Sequence, residues 1–133
     1  MNRRFAGILT ALAIGTVSPL AMASAAEASP SCPEGVVCLH YNSGWQGAFF
    51  QTWYSISDFA GYKFRNCSIN GSGCAGYELD VKNNAASATN TRDGGATIYF
   101  NSNYKGAYDV LWAHSADGQL SNTYNENASI KVY

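Results

Sequence analysis

Residues 39–49, LHYNSGWQGAF, align without a gap against residues 98–108, IYFNSNYKGAY. Asn42 and Asn101, Ser43 and Ser102, Gly47 and Gly106, and Ala48 and Ala107 are identical in register, and the aromatics correspond in kind at Tyr41 and Phe100, Trp45 and Tyr104, and Phe49 and Tyr108. One constant offset, the step from Gly47 to Gly106, relates every pair. A second match follows downstream, where NNAAS at 83–87 resembles NENAS at 125–129. Internal repetition constrains architecture more than any local signal does. The chain therefore reads as two copies of one unit.

Each unit reads as strands. Residues 36–41 and 96–100 are apolar, β-branched and aromatic runs, 49–54 and 108–112 follow the turns, and Ile130 and Val132 alternate with Ser129, Lys131 and Tyr133 at period two. The NSG and NSN segments are turn chemistry. Gly47 and Gly106 stand where the chain re-enters a strand beside a large aromatic, a position that calls for positive φ or no Cβ. Only 55–60 suggests a helical turn. Two antiparallel units, each apolar on one face, bury those faces against each other, so an all-β sandwich is expected.

Composition narrows the class. The 133 residues are one domain's worth of chain, with 13% charged residues and 14% aromatics. A typical domain has about 25% charged residues, and a disordered chain needs high charge and few aromatics. A formal charge of −1 lacks the clustered cations that nucleic acid requires, so no nucleic-acid partner is expected. At the N-terminus, Arg3 and Arg4 precede an apolar stretch from Phe5 to Ala23 that is broken by Gly15 and Pro19 and ends at Ala23-Ser24-Ala25. That order fits a signal peptide over 1–26 better than a membrane anchor. Cleavage there leaves a mature chain from Glu27 to Tyr133, in which six Lys and Arg stand against nine Asp and Glu. The mature product is expected to be secreted, mildly acidic and free of the membrane.

All four cysteines fall in that exported part. An even count outside the cytosol reads as two disulfides, of which three connectivities are possible. Spacing favours local pairs, because CPEGVVC at 32–38 contains a Pro-Glu-Gly turn and CSINGSGC at 67–74 contains Asn-Gly with a further glycine. The expected pairs are Cys32 with Cys38 and Cys67 with Cys74. Zinc would call for tighter pairs such as C-x2-C.

Tyr99, Tyr104 and Gly106 with the later Ser129 resemble the βγ-crystallin Greek-key motif, an aromatic followed by an aromatic five on and a glycine seven on, closed by a serine. The first copy keeps Trp45, Gly47 and Ser87 but carries His40 where the leading aromatic belongs. Together with the signal peptide and the CPEGVVC opening, the two motifs resemble the bacterial secreted peptidase-inhibitor family of βγ-crystallin fold, which includes metalloproteinase inhibitors. The resemblance implies a single sandwich of two Greek-key motifs with two disulfides over 27–133, motif one at about 36–90 with a disulfide loop inserted at 62–76, and motif two at about 96–133. It implies inhibition of an extracellular protease, most readily a zinc metalloprotease. The same domain type also serves in antifungal and chitin-binding modules, so cell-wall glycan is the alternative partner, to which Trp45, Trp53 or Trp112 would offer a ring. A monomer is expected.

Enzyme chemistry is poorly represented. His40 and His114 are the only histidines and sit in no metal-binding pattern, and neither G-x-S-x-G nor H-E-x-x-H occurs. Glu78 and Asp80 share one strand face, where solvation is the ordinary reason for two carboxylates. The copies differ most in length: the stretch from Gly47 to Ser87 is far longer than its counterpart from Gly106 to Ser129, and the surplus falls around the second cysteine pair. A loop clamped by its own disulfide suits rigid recognition, since pre-ordering removes entropy that binding would otherwise cost. The inhibitory loop is therefore expected at Cys67, Ser68, Ile69, Asn70, Gly71, Ser72, Gly73 and Cys74, with Ile69 offered to the primed pocket of the enzyme.

No cofactor is expected to be required. The βγ-crystallin resemblance also implies calcium, through two Asn/Asp, two variable positions, then Ser/Thr and Ser. Asn83, Asn84 and Ser87 keep part of that pattern, as do Asn125, Glu126 and Ser129, but Ala88 and Ile130 occupy the sixth positions. With Glu126 the sole carboxylate, any such site is expected to be weak, on the order of 10⁻⁴ to 10⁻³ M.

Overall fold

The computed structural model describes residues 32–67 and 74–133. The signal peptide expected at 1–26 and Ser68, Ile69, Asn70, Gly71, Ser72 and Gly73 of the expected loop lie outside them. Among the described residues seven strands follow in chain order: β1 Val37–Asn42, β2 Gln46–Thr52, β3 Ser87–Asn90, β4 Ala96–Asn101, β5 Lys105–Leu111, β6 Ser115–Asp117 and β7 Ser129–Val132. They form a four-stranded sheet ordered β2-β1-β3-β6 and a three-stranded sheet ordered β5-β4-β7, with every pairing antiparallel. No helix long and apolar enough to cross a membrane occurs among the described residues.

The two copies exchange strands. β6 belongs to the second copy yet pairs with β3 of the first. In return, the Ile56 N–H donates to the Ile130 carbonyl at 2.8 Å and the Ile130 N–H to the Ile56 carbonyl at 2.9 Å, which lays the first copy against β7. Ile56 and Ser115, the first residue of β6, are equivalent positions, since the alignment that sets 39 against 98 also sets 56 against 115. In place of the helical turn expected at 55–60, Ile56 bridges to β7 and the Phe59 N–H donates to the Ala128 carbonyl, which puts both side chains in the core, and the chain turns only afterwards, where the Tyr62 N–H donates to the Phe59 carbonyl at 3.1 Å. Between the sheets lie Val37, Leu39, Phe59, Ile98, Leu111 and Ile130, all 1% exposed or less. Burying each such side chain contributes about 1.5–3 kcal/mol.

The repeated hairpin explains its own residues. Trp45 and Tyr104 take positive φ, 59° and 60°, at the end of each β-turn, and Gly47 and Gly106 follow at 79° and 83°. This folds the hairpin over its sheet and leaves backbone groups unpaired. Ser87 Oγ donates to the Asn42 carbonyl at 2.6 Å and accepts the Trp45 N–H at 3.0 Å; Ser129 Oγ does the same for the Asn101 carbonyl and the Tyr104 N–H, at 2.7 and 3.1 Å. Each motif serine therefore closes the hairpin of its own copy.

Candidate functional site

The described residues on either side of the 67–74 segment form the two arms of an irregular hairpin. The Val81 N–H donates to the Tyr62 carbonyl at 2.9 Å, the Phe64 N–H to Leu79 at 3.0 Å and the Glu78 N–H to Phe64 at 2.8 Å. Phe64 and Val81 are fully buried, and Tyr62 packs edge-on against Phe50 and Phe59 at 5.4 and 6.3 Å. Apolar anchors thus fix the root of the hairpin in the core. On its outer face Lys63 pairs with Asp80 at 2.6 Å and Arg65 with Glu78 at 3.6 Å, so the two carboxylates are solvated ion-pair partners rather than an acid–base dyad. Exposed pairs of this kind contribute about 0–1 kcal/mol.

The tip is fastened separately. The disulfide joins Cys67 to Cys74 with the Cα atoms 5.9 Å apart, and Cys32 joins Cys38 at the same separation, which are the two local pairs expected from spacing. On either side of the tip the chain pairs with β2, the edge of the four-stranded sheet: Phe49 exchanges both backbone bonds with Asn66, at 2.8 and 3.1 Å, and the Ala48 N–H donates to the Ala75 carbonyl at 2.8 Å. Consecutive N–H groups on one side of β2 are possible because the Gly47 bulge shifts the register there. Both ends of the 67–74 segment are consequently held before any partner arrives.

The residues expected to hold calcium do not fit a cation. Each motif serine spends its proton on a carbonyl and a lone pair on an N–H. The Asn84 amide donates to the Asp80 and Lys82 carbonyls at 2.9 and 3.2 Å, Glu126 is exposed, and Ala88 and Ile130 at the sixth positions are fully buried. Asn83 and Asn125 sit at φ 62° and 53° and bond across the copies, through their N–H groups to the Asn127 and Ala85 carbonyls. No group of three or more His, Cys, Asp or Glu side chains gathers among the described residues. Millimolar calcium is expected to leave the melting temperature unmoved. A rise in differential scanning calorimetry would return these residues to a metal role, since any ligand of the native state stabilises it by mass action.

The outer faces of the two sheets differ. On β5 the side chains of Tyr108 and Val110, and of Trp112 just beyond, alternate outward with exposures of 54%, 42% and 74%. Phe49, the counterpart of Tyr108, is 5% exposed. Trp53 is also exposed, its ring 5.5 Å from that of Tyr54, whereas Trp45 is half-buried and its indole N–H donates to the Ala88 carbonyl at 3.2 Å. The apolar face expected to turn inward on 108–112 therefore meets solvent. β5 buries Asp109 and Leu111 instead, and the Asp109 carboxylate takes the Asn122 and Thr123 N–H groups and the Thr123 hydroxyl. Neither histidine ligates anything among the described residues. His114 Nε2 lies 2.7 Å from Asp93 Oδ1 in solvent, and His40 is 1% exposed, with burial pushing its pKa down from 6.5 to about 4.

A search of curated proteins returned no match. Among solved structures the chain is similar to a βγ-crystallin domain described in work on the evolution of the eye-lens fold (TM-score 0.59, 19% identity, 77% of this chain and 89% of that one). It is also similar to a βγ-crystallin from Ciona intestinalis (TM-score 0.54, 14% identity, 74% and 100%) and to the N-terminal domain of protein S (TM-score 0.52, 19% identity, 74% and 94%). At these identities the likeness shows the fold alone. The sequence model of peptidase inhibitor family I36 matches residues 25–111, which takes in the first copy, its disulfide hairpin and the repeated turn of the second. The chain belongs to peptidase inhibitor family I36.

Proposed function

We propose that this non-enzymatic inhibitor is secreted and blocks an extracellular zinc metallopeptidase by presenting the 67–74 segment as a substrate-like loop, with Ile69 entering the apolar primed pocket. The observation that supports this reading is the fastening of both loop ends, by the disulfide and by backbone pairing of Asn66 and Ala75 with β2. A loop held in this way forfeits little entropy on binding. Its ends also stay together if the enclosed peptide bond is cut, so cleavage does not release the fragments.

Titration of the mature protein against thermolysin-like, subtilisin-like and trypsin-like peptidases tests the target class, with stoichiometric loss of the first activity as the expected outcome. Ile69→Asp should weaken inhibition by several kcal/mol, because an unpaired carboxylate would be buried at the interface, while the melting temperature holds. Undiminished inhibition by that variant would move the contact surface to the turns at Gly44 or Asn103.

A second reading, binding to cell-wall glycan, is favoured by one observation: Tyr108 on β5 and Trp112 just beyond its end both stand exposed. Rings so placed suit the apolar face of a sugar. Retention on insoluble chitin that Trp112→Ala abolishes is the outcome this reading expects, and retention unaffected by the variant would remove its basis.

A further inference from the structure

Position 40 is where the copies differ most in chemistry. In the second copy Tyr99 is half-buried and its ring meets Tyr104 edge-on at 6.0 Å. In the first copy His40 is 1% exposed, neither Nδ1 nor Nε2 has a hydrogen-bond partner among the described residues, and the ring lies 5.6 Å from that of Phe49. The Thr89 hydroxyl, on the same face of the sheet, is likewise buried without a partner there. An aromatic ring would fill this place without stranding two nitrogens. Imidazole fills it only while neutral, since a charge buried without a partner is far more costly than a buried polar group.

The neighbours of His40 offer no relief. β2 contributes Phe49, β3 contributes Ser87 and Thr89, and β1 itself contributes Cys38, bonded to Cys32; none of these is charged or titratable. Burial alone acts on the imidazole. What makes the position consequential is the next contact outward. Phe49 carries the ring against which His40 rests, and its backbone exchanges two hydrogen bonds with Asn66, the residue before Cys67.

We propose that His40 is an acid-sensitive latch on the Cys67 end of the disulfide hairpin: protonation favours an opening of the β1–β2 outer face that frees Asn66 from Phe49. The inference rests on the loop being the inhibitory element only for its biological meaning, since the latch itself is a property of the free protein.

The sign follows from linkage. The buried imidazole titrates below its ordinary 6.5, at about 4, so the open form takes up the proton first. Opening therefore grows as pH falls through 6.5, nearly tenfold per unit, and levels off below 4. Between pH 7 and pH 5 the opening constant should rise about 20-fold.

Native-state hydrogen exchange on the free inhibitor reads this directly. After correction for intrinsic rates, protection of the Phe49 and Asn66 amides should fall about 20-fold from pH 7 to pH 5. Protection of Ile98, in the other sheet, should exceed that of Phe49 and Asn66 at both pH values, since global unfolding also exposes His40 and shifts with pH by the same factor. His40→Phe should abolish the pH dependence, and His40→Tyr, the residue type of the second copy, serves the same purpose if the first variant folds poorly. Protection at Phe49 and Asn66 equal to that at Ile98 would mean that they exchange only through global unfolding and would overturn the latch, as would an unchanged pH dependence in the variants. Because no peptidase enters the measurement, its outcome stands apart from that of Ile69→Asp, and a target that the wild-type inhibitor releases faster at pH 5 than His40→Phe does would tie the latch to function.

Discussion

Asn127→Ala is expected to destabilise the protein by about 3 kcal/mol, because it strands two buried backbone groups of the other copy. Asn127 is fully buried, its Oδ1 accepts the Ala85 N–H at 2.9 Å, and its Nδ2 donates to the Val81 carbonyl at 2.9 Å. Its own carbonyl takes the Asn83 N–H at 2.8 Å. One side chain of the second copy thereby completes the segment at the foot of the disulfide hairpin. Removing one partner of a buried hydrogen bond leaves about 1–3 kcal/mol of uncompensated desolvation per group, and here there are two. Urea denaturation should show the midpoint fall with the slope unchanged. Asn127→Asp should do no better, since it keeps an acceptor for Ala85 but loses the donor to Val81 and buries a charge. A loss under about 1 kcal/mol in Asn127→Ala would mean that water satisfies both groups and that the apolar core and the exchanged backbone pairs hold the copies together without this side chain.

This residue also marks where the sequence stops being informative. The second NAAS-like run is legible as a repeat, and Asn127 occupies a variable position in it. Its role depends on Val81 and Ala85, 46 and 42 residues away. The repeat itself can be read because its signature residues serve local geometry: a serine that closes a hairpin and a glycine at positive φ announce themselves wherever they occur. β3 and β6 cannot be read in that way. SATN and SAD are short and small or polar, and β3 is buried along its whole length as an inner strand between β1 and β6, a place its own residues do not announce. Strand exchange is equally hidden, since Ile56 becomes extended through Ile130, a partner in the other copy. The aromatics of β5 mislead for a different reason, because period-two alternation cannot say which face is wet when the polar member, Asp109, finds four hydrogen-bond donors inside. The disulfide hairpin is the most legible feature of the candidate site, as the surplus length and the second cysteine pair coincide. Its docking on β2 is not, because that rests mainly on backbone bonds of Asn66 and Ala75, joined only by the Asn66 side-chain amide donating to the Phe49 carbonyl at 3.3 Å.

Gly76→Ala should be among the most damaging single-methyl changes to the candidate site, with an expected loss of about 3 kcal/mol from strain and overpacking together. Gly76 has φ +84°, where a β-carbon is strained in any surroundings, and an added Cβ would overlap the ring of Tyr41. Tyr41 has little freedom to yield, since its ring meets Phe64 edge-on at 5.9 Å at the root of the hairpin. The change must therefore push residues 75–76 away from β1 and β2, and the first bond in its path is that from the Ala48 N–H to the Ala75 carbonyl. Gly44→Ala separates the two causes: Gly44 has φ +67° but open space around its Cα, so strain alone should cost about 1 kcal/mol there. Calorimetry should rank Gly76→Ala well below Gly44→Ala in melting temperature, and inhibition should weaken in the former while surviving in the latter. Equal losses in the two variants would show that Tyr41 moves aside freely, in which case the loop is held by its disulfide and by Asn66 without help from the Gly76 contact.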